Sequence, residues 1–254
     1  MNAHEKDNPP VWARGLDGRV ALVTGAGRGL GRACALALSG AGARIIAVSR
    51  TGAELAGLAG EAPGPVEPWV RDVTGDALLK RIEALDRLDV LVNNAGTNHP
   101  QPFLEVTDEV LDGMLDLNVR AAFRVARSAA RVMMRRGSGS IVNMSSQMGH
   151  VGSPRRTVYC MTKHGIEGLT KAMAVELGPH GIRVNTVSPT FIETPLTRPF
   201  LDDPKFVEFV TGMIAMKRLG TVDDVAAAVL YLASPASGIV TGTSLRVDGG
   251  WTAH

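Results

Sequence analysis

Tyr159 and Lys163 stand four residues apart in Tyr159-Cys-Met-Thr-Lys163. On a helix that spacing puts both side chains on one face. A free phenol titrates near pH ~10 and is a poor base at neutrality. An ammonium beside it favours phenolate and draws it toward the working range, where it can pass a proton. Taken alone, such a pair is a common accident of sequence, so its weight rests on its surroundings. Thr24-Gly25-Ala26-Gly27-Arg28-Gly29-Leu30-Gly31 is a second chemical feature. Glycines permit a tight turn and close backbone approach to a pyrophosphate. A helix opening there adds free N–H groups and partial positive charge. The spacing is not G-x-G-x-x-G, because Leu30 takes the final position, and no Gly-Lys-Ser/Thr follows to make a triphosphate loop.

Both features need a frame to bring them together. Val20 to Val23 reads as a buried strand running into the glycine turn, followed by a helix from Leu30 to Gly40 and a strand from Arg44 to Val48. A helix over Gly52 to Leu58, a Gly/Pro-rich loop over Gly60 to Pro68 and a weak strand at Trp69-Val70 come next. Asp76 to Leu85 predicts a helix and Asp89 to Val92 a strand. Helical patterns fill Thr107 to Arg136 with an internal break, where Asn118 by itself reads as a helix-breaking cap. A strand over Ser140 to Met144, a helix over Val158 to Leu177 and a strand over Arg183 to Val187 follow. A mixed region to Lys217 leads to a helix over Val222 to Leu232 and a strand over Ser244 to Val247. Strands alternating with helices, the strands continuously apolar, predict an α/β fold: a single-domain Rossmann-type doubly wound parallel sheet with helices on both faces. The domain is expected over residues 15–254, with a substrate loop at 190–217. Residues 1–14, polar and carrying Pro9 and Pro10, are expected to form a flexible lead-in.

Composition narrows the partners. The 254 residues carry a formal charge of +2, and no Lys/Arg tract suggests nucleic acid. Cys34 and Cys160, the only cysteines, make neither a disulfide framework nor a metal-ligand pattern. No apolar stretch reaches membrane-spanning length and the N-terminus lacks a signal-peptide core, so a cytoplasmic protein without membrane partners is expected. The end of the second strand bears on the cofactor. An NAD site usually places a carboxylate there; here it reads Ser49-Arg50. Arg50 offers a planar fork for a 2′-phosphate and Arg28 a second cation. NADP(H) is therefore expected in preference to NAD(H), which the site would also admit.

Together these segments resemble the classical short-chain dehydrogenase/reductase family over nearly the whole chain. Thr24, Gly25, Gly29 and Gly31 match its T-G-x-x-x-G-x-G turn, and Asn93-Asn-Ala-Gly96 its N-N-A-G. Asn118, Ser146, Tyr159 and Lys163 match its catalytic tetrad, and Asp72 its adenine-contacting aspartate. The resemblance implies a nicotinamide-dependent interconversion of a secondary alcohol and a ketone. Ser146 would hold the substrate oxygen, Tyr159 would exchange the proton, Lys163 would bind the nicotinamide ribose and tune Tyr159, and Asn118 would hold a relay water. Cofactor contacts are expected at Gly25, Arg28, Gly29, Leu30, Gly31, Ser49, Arg50, Asp72, Val73, Asn94, Ala95, Gly96, Tyr159, Lys163, Pro189, Ile192 and Thr194. One segment departs from the pattern: Thr190 stands where the family commonly has glycine, implying a backbone that avoids glycine-only conformations. Asn98, Gln147, Met148, Arg155, Phe191 and Leu196 are expected to face the substrate, whereas His99 and His150 read as loop residues. A polyol or sugar acid is the favoured substrate and a 3-oxoacyl chain the alternative. A silent cofactor-binding regulator is the rival class. Relatives imply a homotetramer or homodimer.

Overall fold

The computed structural model describes residues 15–253; the expected lead-in at 1–14 lies outside them. Seven strands form its sheet: β1 (Val20–Thr24), β2 (Arg44–Ser49), β3 (Val66–Val70), β4 (Val90–Asn93), β5 (Gly139–Met144), β6 (Ile182–Pro189) and β7 (Ser244–Val247). They are parallel throughout and run in the order β3-β2-β1-β4-β5-β6-β7. Because successive side chains point to opposite faces, the apolar strands feed two cores at once. Ala21 and Val23 of β1 join one core with α1 (Gly29–Gly40), α2 (Gly52–Glu61) and α9 (Val222–Ala233). Val20 and Leu22 join the other with α3 (Asp76–Glu83), α5 (Ala122–Met134) and α6 (Thr157–Leu177). The doubly wound α/β architecture read from the strand pattern is borne out.

Differences from the sequence reading have local causes. Pro68, expected in a loop, lies inside β3. That strand pairs only with β2, and proline's missing N–H is tolerated at a sheet edge. The expected break between Thr107 and Arg136 is a π-helical segment, Asp116–Ala121, joining α4 (Asp108–Leu115) to α5, so Asn118 sits in a π-turn and caps nothing. Single π-turns often mark functional positions. The segment after β6 contains α7 (Arg198–Leu201) and α8 (Pro204–Met213), held by a small core of Met148, Phe191, Val210 and Ile214. Thr190 avoids positive φ, which among non-glycine residues occurs only at Arg155 and Lys217 in the described chain. No helix among the described residues is long and apolar enough to cross a membrane.

The strand order reverses between β1 and β4, and their carboxyl ends are tied together there. Asn94 N and Ala95 N donate to Thr24 Oγ1 at 2.9 and 3.0 Å, while Asn94 Nδ2 donates to Thr24 O at 3.0 Å. Gly31 lies under this knot: a Cβ there would overlap the Gly25 carbonyl and the Asn94 amide. Gly31→Ala should therefore lower stability by about 1–3 kcal/mol. Urea unfolding measures this, and an unchanged midpoint would contradict the packing described.

Candidate active site

Beside that knot opens a cleft of about 520 Å³, running from the end of β2 past the glycine turn to the segment after β6. Gly25, Arg28, Gly29, Leu30, Ser49, Arg50, Asp72, Val73, Asn94, Ala95, Gly96 and Thr194 all line it. Gly25 and Gly29 adopt φ +66 and +55, the left-handed conformations that let the turn present its backbone to a ligand. Gly31 does not line the cleft; it sets the approach of α1 to the turn. A dinucleotide fits this construction: bare backbone at a helix start for the pyrophosphate, and guanidinium groups at the outer end. Arg71, which the sequence reading passed over, adds a third arginine to the wall; Glu54, Asp72 and Asp116 are its carboxylates. Glu54 accepts from Ser49 Oγ at 3.4 Å, and Asp72 accepts from Thr74 N and Thr74 Oγ1. These bonds hold the Asp72 carboxyl below its ordinary range, helped by Arg50.

A second cavity, about 120 Å³, continues from the first through Leu30, Asn94, Gly96, Thr194 and Leu196. Ser146, Tyr159, Lys163, Pro189 and Ile192 line it. Helix α6 carries Tyr159 and Lys163 on one face, and Ser146 lies two residues past the end of β5, where its side chain accepts from Met148 N. Lys163 Nζ donates to Met144 O at 2.7 Å and lies 5.5 Å from the Tyr159 ring centroid. Burial pushes Lys163 down to about 8, against the pull of the Glu167 carboxylate. Burial likewise pushes the Tyr159 phenol above its ordinary value, opposed by its hydrogen bond with Ser146 and by the Arg156 guanidinium. Proximity of an ammonium thus does not by itself lower the phenol here: desolvation outweighs it, and the ammonium is engaged by a backbone carbonyl.

Asn118 lines neither cavity. It is 2% exposed, accepts from Thr97 N at 2.8 Å, and donates to Thr97 O at 2.8 Å and Thr162 Oγ1 at 3.3 Å. Its side chain therefore stitches the loop after β4 to α6. A third cavity, about 60 Å³, lies beyond Tyr159 and Ser146 and is walled by Asn98, Gln147, Met148, Phe191 and Leu196. Arg155 is a correction: it is exposed, lines no cavity, and adopts φ 62. Its neighbour Arg156 is buried and lines the third cavity instead. No helix spacing signalled it, since Arg156 precedes the first residue of α6 and its backbone is not helical. His99 is exposed, and His150 turns to Ser244 Oγ at 2.9 Å, outside all three cavities.

The strand order, glycine turn and adjoining cleft are those of a dinucleotide-binding Rossmann-type protein. A family model described as enoyl-(acyl carrier protein) reductase matches residues 25–252. L-xylulose reductase of Mus musculus is 45% identical over 241 residues, covering 94% of this chain and 98% of that protein. D-erythrulose reductase of Gallus gallus is 45% identical over 236 residues, covering 92% and 96%. A solved gluconate 5-dehydrogenase from Burkholderia cenocepacia, in complex with NADP and tartrate, has TM-score 0.89 at 33% identity, covering 96% and 99%. The chain belongs to the classical short-chain dehydrogenase/reductase family and is an oxidoreductase acting on CH–OH groups.

Between about pH 8 and the ordinary lysine value near 10.4 the unfolded chain binds more protons at position 163 than the folded one. Stability contributed through this group therefore rises with pH across that window. The unfolding free energy of the wild type minus that of Lys163→Met should increase from pH 8 to 10 in urea titrations. A pH-independent difference would contradict the buried ammonium.

Proposed function

We propose that the protein is an NADP(H)-dependent reductase of small polyhydroxylated ketones, working reversibly on the matching secondary alcohols. The observation that carries this reading is the third cavity, where reacting groups meet unpaired polar atoms. Tyr159 and Ser146 form its inner end. Asn98 Oδ1, Gln147 Oε1 and Thr190 Oγ1, on its wall, are buried without hydrogen-bond partners. Buried polar atoms are expensive to leave unpaired, so a ligand bearing several hydroxyls suits them better than an acyl chain. The relatives named for L-xylulose, D-erythrulose and gluconate support the same class.

Ser146 Oγ donates to the substrate oxygen and supports its developing negative charge. Tyr159, whose phenol is neutral at pH 7 in this environment, supplies the proton to the nascent alkoxide, and takes it back in the alcohol-oxidising direction. When bound, the nicotinamide gives or accepts the hydride. Lys163 would bind the nicotinamide ribose and steady the phenolate that forms. Asn118, whose amide hydrogens are already engaged, would serve a relay water through its backbone carbonyl. Arg50, with Arg28 and Arg71 on the same cleft, favours a 2′-phosphate. The described domain would act as one unit with its 190–217 loop closing over substrate, in a cytoplasmic homotetramer or homodimer. Exposed Phe123 and Met134 on α5 are compatible with an interface.

Reduction of L-xylulose and D-erythrulose, followed by NADPH absorbance, tests the substrate class; no turnover of any ketose would overturn it. Tyr159→Phe should retain NADPH binding while kcat falls by roughly 10²–10⁴-fold. Near-normal kcat in that variant would remove Tyr159 from the reaction. Arg50→Ala should reduce kcat/KM with NADPH by about 10- to 100-fold, the scale of a lost charged hydrogen bond, and leave NADH nearly unaffected. Steady-state kinetics with both cofactors measures the split.

A further inference from the structure

Arg156 is 7% exposed, and among the described residues no carboxylate lies within 4.0 Å of its guanidinium. Its five N–H donors make no hydrogen bond to any described residue. Arg183, also drawn into the interior, shows what a structural arginine looks like here: it donates to Ser237 Oγ at 2.8 Å and Ser234 O at 3.2 Å. Arg156 instead stacks with the rings of Phe200 and Phe191, its guanidinium carbon 4.9 and 5.8 Å from their centroids. Stacking occupies the flat faces of the guanidinium and leaves its donor edge available. The residue lines the cavity that holds Tyr159 and Ser146. Among the described residues no other charged side chain lines that cavity, and burial raises the Tyr159 phenol further above its ordinary value. A mostly buried cation whose unpaired fork keeps only a little accessible surface is a place where an anion is better accommodated than a neutral group.

From this we infer that Arg156 is a specificity residue that takes the carboxylate of an acidic substrate, so that the preferred ketone is a keto sugar acid. The inference rests on the oxidoreductase reading above and narrows its substrate class. Geometry restricts it further. Arg156 caps the start of α6 and Tyr159 lies in its first turn, and both side chains line the same cavity. A 5-keto acid, whose acid group lies several bonds from the reacting carbonyl, lets Arg156 take the carboxylate while Tyr159 and Ser146 hold the carbonyl oxygen. Gln147, 1% exposed on the same wall, is left to pair with intervening hydroxyls.

A matched pair isolates the charge: 5-keto-D-gluconate and L-sorbose differ only in a carboxylate against a hydroxymethyl group. With NADPH, the wild type should favour 5-keto-D-gluconate. Arg156→Gln should lower kcat/KM for it by about 10- to 100-fold more than for L-sorbose, chiefly through KM, since any effect through the Tyr159 phenol is common to both substrates. Arg156→Lys should recover part of the loss. Thermal shifts with D-gluconate against D-glucitol, in the presence of NADP, read the same preference without turnover. Wild type should be stabilised more by gluconate, and Arg156→Gln equally by both. Equal stabilisation of the wild type by the two, or a Gln variant that loses both substrates alike, overturns the assignment and leaves Arg156 a packing residue. Gluconate-selective stabilisation without any ketone reduction would instead uphold Arg156 and overturn the reductase reading.

Discussion

The clasp between the ends of β1 and β4 is the constraint on which the site depends. A parallel sheet that winds both ways must diverge somewhere, and the connections leaving the two central strands turn to opposite faces. The gap between them is the cleft. Left to itself it would expose strand ends with unpaired carbonyls and amides. Thr24 and Asn94 satisfy those groups from across the gap, so the opening is held at a fixed width by hydrogen bonds that are themselves partly buried. The glycine turn can then pack its backbone against Asn94, and α1 can start where its free N–H groups face the cleft. Every other feature of the cofactor-facing wall inherits its position from this junction.

Burial of charge is the second organising theme. Lys163, Glu167 and Arg156 all lie on or at the start of α6, and each is more than nine-tenths buried. They are handled differently. Glu167 accepts from Thr186 and Ser188 at 3.0 Å, so its charge is solvated by hydroxyls of β6. Lys163 leans on one carbonyl and the Glu167 field. Arg156 has only aromatic faces. The order of satisfaction follows distance from the cavities: the carboxylate that lines none is complete, and the two cations that line them are not. A helix carrying an incompletely solvated lysine and arginine on either side of a protonated phenol is poor design for stability and suitable design for binding anions and moving a proton.

Legibility in the sequence followed the range of the interactions involved. The parallel sheet was readable because the apolar runs of β1, β2 and β4 leave no wet face to assign and helices separate the strands. Tyr159, Lys163 and Ser146 were readable from a helix spacing and a family pattern. Pro68 misled because propensity rules penalise proline in a strand without knowing that the strand is an edge. Asn118 was read by resemblance as a water holder. Its bonds to Thr97 and Thr162 depend on a π-turn whose extra residue no periodicity announces. Local pattern does not separate Arg155 from Arg156, because both precede α6 and burial at a loop–helix junction is set by what packs over it.

The sequence by itself determined the fold class, the turn that faces the pyrophosphate and the face of α6 that carries the proton-transferring pair, since all three follow from local spacing. Tertiary structure alone decided the electrostatics. Whether Lys163 depresses the Tyr159 phenol, and whether an arginine beside it is solvated or stranded, depends on how much water the surrounding segments exclude. Phe191 and Phe200 come from the far side of β6, more than thirty residues after Arg156 in the chain. Desolvation is a property of that assembled enclosure, and no local pattern encodes it.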